Sequence, residues 1–392
     1  MTRTPLSEAV QAARAGLAAV VEPGSWSVHA AVEELGAVEV WAAMRRGRPL
    51  PGVGRALTDA AAARAVTVHP EALLDRLHAG GGRLACPGDD EWPAHRLGWG
   101  PGTPYAPPLG LFLRGAARLG PTVEASVAVV GARAATAYGN HVAHELAFEL
   151  AEAGWAVVSG AAYGIDRAAH LGALASGRSS TVAVLACGVD VAYPRGHTAL
   201  LERIADVGLV ASESPPGVAP TRARFLVRNR VIAALTAGTV VVEAAARSGS
   251  LATLQRAREL YRHVMVVPGP VTSALSVGCH QELRADDPAI CVTRAAEVLD
   301  TVGRLGDDAA EAPRATPGPR DDLPATARRV LDALPVRGGA GEAAIARDAG
   351  LSTLAVAQLL PPLLVAGLVE RGPSGWLLSP LGAGRPARGA AS

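Results

Sequence analysis

Between residues 126 and 267, five short apolar runs (126–130, 155–159, 181–186, 239–242 and 264–267) alternate with stretches of helical pattern. Each run is continuous in hydrophobicity, as expected of strands covered by helices on both faces. Alternation of this kind builds a parallel, doubly wound sheet, so the expected fold class is α/β with a Rossmann-like core. Ligands of such sheets bind beyond the carboxyl ends of the strands, which directs attention to the loops that follow them.

The 392 residues exceed one ordinary core and predict two or three domains. Residues 1–100 are Ala-rich and helical in pattern, with turn signals at Glu22-Pro23-Gly24 and Pro51-Gly52-Val53-Gly54, and predict a small helical domain. Gly and Pro recur over 98–108 and mark a boundary, so the Rossmann-like core is placed at 109–303. Residues 304–321 read as a flexible linker, 322–380 as a winged-helix-like domain and 381–392 as a tail. In that last domain, helices near 325–334 and 343–349 precede a longer one from Thr353, and 369–371 and 375–378 supply a wing. The longer helix has no basic residue and contains Pro361-Pro362, which favours protein contact over groove reading.

Charge excludes a global electrostatic attraction to nucleic acid: 37 Lys+Arg against 36 Asp+Glu leave a net +1, so any anion site must be local. Cys86, Cys187, Cys279 and Cys291 lack metal-ligand spacing and fit a reducing compartment. No signal-peptide h-region and no apolar run of about 18 residues occurs. A soluble, cytoplasmic protein with no metal, cofactor or membrane partner is expected.

The first strand runs into Gly131-Ala132-Arg133 and then a helix, where a Gly turn, free helix N–H groups and a guanidinium suit a phosphate. A Gly there also serves helix–strand packing alone. The turn lacks GxGxxG, and Ser159-Gly160 stands where a dinucleotide fold wants an acid, which disfavours NAD and FAD. Gly160 and its small neighbours would let a ligand backbone approach. Asp166 and His170, four apart on one helical face, read either as an acid–base pair or as a helix-dipole carboxylate beside an imidazole.

The densest basic cluster is Arg222-Ala223-Arg224-Phe225-Leu226-Val227-Arg228-Asn229-Arg230. On a helix, Arg224 and Arg228 share a face with Phe225 beside them, giving phosphate forks and a stacking platform suited to single-stranded nucleic acid. A solvated basic face with Phe225 in the core is the alternative. A second anion nest is predicted at Ser248-Gly249-Ser250, which also reads as a plain N-cap.

The blocks VAVVGAR, VVSGAAYGIDRAAH, VAVLACGVDVAYP, FLVRNR, VVEAAARSGSLATLQRA and VVPGPV, in this order, resemble the DprA (Smf) family over about residues 109–300. The resemblance implies a non-enzymatic homodimer that binds single-stranded DNA. It further implies that the protein displaces or bypasses single-strand-binding protein and loads the RecA recombinase during natural transformation. It places Arg133 in the GSR-type turn and Phe225, Arg228, Asn229 and Arg230 in the FPxRNR motif lining the DNA groove. It also makes the N-terminal helices a sterile-alpha-motif or helix-hairpin-helix type of accessory domain. Ala132, Leu226 and His197 depart from the family pattern without removing a charge.

Two further readings compete. The lysine-decarboxylase-like nucleotide hydrolases (the LOG group) share this Rossmann variant but carry PGGxGTxxE, and here the turn is followed by Leu254, Gln255 and Arg256. An amide cannot replace the carboxylate against an oxocarbenium ion, which leaves Glu243 as the one substitute. Alternatively, the chain mainly binds proteins through its flanking domains.

Overall fold

The computed structural model describes residues 7–303, 320 and 323–383, and contacts divide the chain into units on either side of residue 310. In the first unit, five helices come first: α1 (Glu8–Val20), α2 (Trp26–Leu35), α3 (Ala37–Arg45), α4 (Arg55–Ala65) and α5 (Pro70–Ala79). They enclose Leu17, Val28, Val40, Trp41 and Met44 in a core of their own. The helical expectation for residues 1–100 is corrected at its end, where β1 (Gly82–Ala85) forms, followed by the short helix α6 (Ala94–Leu97).

β1 pairs antiparallel with β2 (Leu111–Arg114), and β2 pairs antiparallel with β6 (Leu209–Ser212), so the expected boundary at 100–109 does not divide two bodies. Side chains bind the same regions together: Trp26 donates to the Thr103 carbonyl, Arg14 to that of Leu109, and Arg76 to Asp190.

After α7 (Leu119–Glu124) the chain runs through β3 (Ser126–Val130), α8 (Ala137–Glu152), β4 (Ala156–Ser159), α9 (Ile165–Ser176), β5 (Thr181–Leu185) and α10 (Thr198–Val207) to β6. Then come α11 (Arg222–Leu235), β7 (Gly238–Val241), α12 (Gly249–Glu259), β8 (His263–Val266), α13 (Val277–Glu282), β9 (Ile290–Cys291) and α14 (Ala295–Val302). The nine strands lie in the order β1-β2-β6-β5-β4-β3-β7-β8-β9. From β3 the chain winds outward to β6 and then restarts on the other side at β7, so the switch in winding direction falls between β3 and β7.

The parallel strands β3 to β7 are buried on both faces because helices cover each. Val127 and Val129 point into a layer with α8 and α9 (Leu146, Leu150, Ile165), whereas Ala128 and Val130 point into one with α11 and α12 (Val231, Leu235, Leu254). This period of two within a wholly apolar strand is the reason β3 shows no polarity alternation in sequence.

The second unit has its own core of Leu331, Ile345, Val356, Leu360 and Trp376. It comprises α15 (Ala325–Asp332), α16 (Glu342–Ala349), α17 (Thr353–Val365) and the antiparallel pair β10 (Val369–Gly372) and β11 (Gly375–Leu378), turning at Pro373-Ser374. α17 carries no charged residue and keeps Pro361 and Pro362 inside it, both exposed. The expected linker, except residue 320, and tail residues 384–392 lie outside the described residues. Tail residues 381–383 instead close onto the wing, where the Gly382 amide donates to the Ser379 hydroxyl. Among the described residues, no single helix is long and apolar enough to cross a membrane.

Candidate functional site

At the switch point, the ends of β3 and β7 and the N-terminal ends of α11 and α12 enclose an open cleft of about 910 Å³. Four arginines (Arg133, Arg222, Arg228 and Arg247) and one carboxylate, Asp166, line it among the described residues. The cleft is therefore locally cationic in a chain of net charge +1.

Gly131 and Arg133 stand where the sequence placed them, in the turn after β3. The Ala132 amide donates to the Glu243 carbonyl (2.7 Å), which fastens this turn to β7. A Cβ on Gly131 would meet the Ile165 side chain, so packing also demands glycine there. Arg133 is exposed, and its guanidinium carbon lies 5.0 Å from the Phe225 ring centroid. That contact orients the guanidinium without occupying its donors.

α11 presents Arg222, Phe225, Leu226, Asn229 and Ile232 to the cleft, a spacing of i, i+3, i+4, i+7 and i+10 that is one helical stripe. The expected Arg224/Arg228 stripe is therefore corrected. Arg224 points away and forks onto Glu22 through two hydrogen bonds of 2.9 and 3.1 Å. Arg230 is buried on yet another side, bridging Glu213 at 2.7 Å and lying over Trp99. Neither lines the cleft. Arg228 reaches its wall but is buried, donating to the Val184 carbonyl; its guanidinium carbon lies 5.9 Å from the Phe225 centroid. Burial lowers its pKa to about 10, opposed by the charge of Asp166.

Gly160 was expected to let a ligand approach, and the structure gives it a different task. It is buried, a Cβ on it would collide with the Arg228 guanidinium, and its amide donates to Asp166 (3.2 Å). Asp166 also accepts from the Ala162 amide at 3.3 Å. Burial raises its pKa, while the charge of Arg228 opposes the rise.

His170 does not pair with Asp166. Its Nδ1 lies 2.9 Å from the Thr181 hydroxyl, which itself donates to the Val157 carbonyl, so Nδ1 must carry the proton. Burial lowers the His170 pKa to about 3. The pair is thus a buried loop-holding carboxylate and a neutral core imidazole, not an acid–base couple.

Ser248, Gly249 and Ser250 all line the opposite rim, at the start of α12. Ser248 is the N-cap, its hydroxyl accepting from the Ser250 amide (3.4 Å) and lying 2.8 Å from the Ser250 hydroxyl. The N-cap reading holds, and the residues of this helix N-terminus line the cleft. Asn229 donates to the Gly249 carbonyl at 3.4 Å, tying α11 to this turn.

Arg222, Arg247 and Tyr193 belong to the cleft and were not singled out as site residues. Arg222 was legible from helical period once the stripe began at 222, and Arg247 from its place before the serine turn. Tyr193 gave no local signal: it comes from the loop after β5 and meets Phe225 only in three dimensions, ring centroids 5.4 Å apart.

Glu243 is buried at the start of α8, where its carboxylate accepts from the Thr136 amide (2.9 Å) and hydroxyl (2.6 Å). It does not line the cleft, so the hydrolase reading is the less supported of the two.

The profile of DNA recombination-mediator protein A matches residues 83–303. A DprA-type protein of Mycobacterium tuberculosis is 47% identical over 384 residues, covering 96% of each chain. DNA processing protein DprA of Streptococcus pneumoniae is 41% identical over 195 residues, 50% of this chain and 67% of that one. The X-ray structure of the Streptococcus pneumoniae DprA aligns with a TM-score of 0.61 at 28% identity, covering 77% of this chain and all of that one. With matching motifs, fold and near full-length similarity in hand, the chain belongs to the DNA recombination-mediator protein A (DprA) family of DNA-processing proteins.

Proposed function

We propose that the cleft at the β3/β7 switch point binds single-stranded DNA, and that the protein acts as a cytoplasmic, non-enzymatic recombination mediator. The observation that carries this reading is the exposed Arg133 guanidinium held over Phe225 in a cationic cleft that the α12 N-terminus also lines. Phosphates of a strand suit the exposed guanidiniums and the helix amides, while unpaired bases suit the aromatic lining. The reading includes a homodimer that hands DNA coated by single-strand-binding protein to the RecA recombinase, as the family membership implies. The charge-free α17 makes the winged unit a protein contact rather than a groove reader.

Anisotropy of labelled single-stranded and duplex oligonucleotides tests the reading. The wild type is expected to prefer the single strand, and Arg133→Ala to weaken that binding. Equal affinity for both forms would remove the single-strand assignment. Release of base from a nucleoside monophosphate would reinstate the hydrolase reading.

A further inference from the structure

Phe225 is the aromatic residue that sequence offers as a stacking platform, yet its surroundings are already occupied. Guanidinium carbons lie 5.0 Å (Arg133) and 5.9 Å (Arg228) from its centroid, and the Tyr193 ring sits 5.4 Å away, tilted by 51°. Phe225 is half-buried, whereas Tyr193 is 40% exposed. These two are the aromatic side chains lining the cleft among the described residues.

We propose that Tyr193, from the loop after β5, is the surface on which a base of the bound strand stacks, and that it thereby sets the preference for single-stranded over duplex DNA. Phe225 is then the brace that positions Tyr193 and Arg133 against each other. The reasoning is one of chemistry shared and not shared. Phosphates occur in both forms, so the cleft arginines attract both. Bases of a duplex are stacked on one another and shielded from an aromatic side chain, so a ring contact adds affinity to the single strand alone. The inference rests on the single-strand reading of the cleft.

The test uses the full chain as wild type, Tyr193→Leu and Tyr193→Phe, titrated into oligothymidylate, an equally long abasic oligomer and a duplex. Tyr193→Leu is expected to lose roughly ten- to a hundred-fold in affinity for oligothymidylate, while the abasic oligomer and the duplex bind as before. Tyr193→Phe should retain wild-type behaviour. Unchanged oligothymidylate binding by Tyr193→Leu would overturn the proposal, and so would an equal loss on the abasic oligomer, which marks a structural role. Failure of the wild type to bind either single-stranded probe at low salt would instead overturn the single-strand reading itself.

Discussion

Arg133 is exposed over an aromatic ring, Arg228 is buried against the Val184 carbonyl, and Arg230 is buried against Glu213. One charge in three environments leads to different expectations. Arg133→Ala should leave unfolding free energy within about 0.5 kcal/mol of wild type, as for exposed sites, while weakening DNA binding. Arg230→Ala strands the largely buried Glu213 carboxylate, whose pKa burial raises and Arg230 opposes, and should cost about 3 kcal/mol in urea denaturation. Equal stability of the two variants would refute this division of labour. His170 supplies a pH signature. Its folded pKa of about 3 lies below the ordinary 6.5, so between these values the unfolded chain binds a proton that the native protein does not. Its contribution to stability is complete above about pH 6.5 and declines as pH falls, by at most about 1.4 kcal/mol per unit. Denaturation midpoints taken at about pH 7.5 and about pH 5 should therefore separate in wild type, and less so in His170→Gln.

At the scale of elements, α11 is the instructive helix. Its amphipathicity runs along the axis rather than around it: Arg222–Arg230 meets the cleft and its supports, and Val231–Leu235 is wholly buried. A helical-wheel argument assumes one buried face, which is why it groups Arg224 with Arg228, whereas it is the family motif that assigns Arg230 to the groove. The five parallel strands of the sequence reading all form, within a residue at their ends, because continuous β-branched runs carry that signal locally. β1, β2, β6 and β9 escaped because their sequences (GRLA, LFLR, LVAS and IC) hold at most one β-branched residue each, so no β-branched run announces them. The turns after β3 and before α12 were legible as a site, since Gly and Ser announce a helix start. The start of α8 offers an element-level test. Thr136 caps the helix while bonding Glu243 twice, so Thr136→Ala and Glu243→Ala should each cost about 1 kcal/mol or more, and the pair less than the sum. Strict additivity in the double-mutant cycle would show the two to act independently.

Over the whole molecule, a chain of net charge +1 brings four guanidiniums together against a single carboxylate in one cleft among the described residues. Glu22 and Asp190, by contrast, pair Arg224 and Arg76 where the N-terminal helices meet the sheet. The N-terminal helices and the sheet belong to one unit, so residues 7–303 are expected to bind a single strand as the full chain does; loss on removing the winged unit would place part of the site there. The central claim, that this cleft neutralises strand phosphates, is tested most directly by the salt dependence of single-strand affinity for wild type and for Arg133→Ala/Arg222→Ala/Arg247→Ala. With three phosphate contacts removed, the slope of log affinity against log salt should flatten by roughly 0.7 per contact, about 2 in all. An unchanged slope would mean that the strand's phosphates lie elsewhere on the protein.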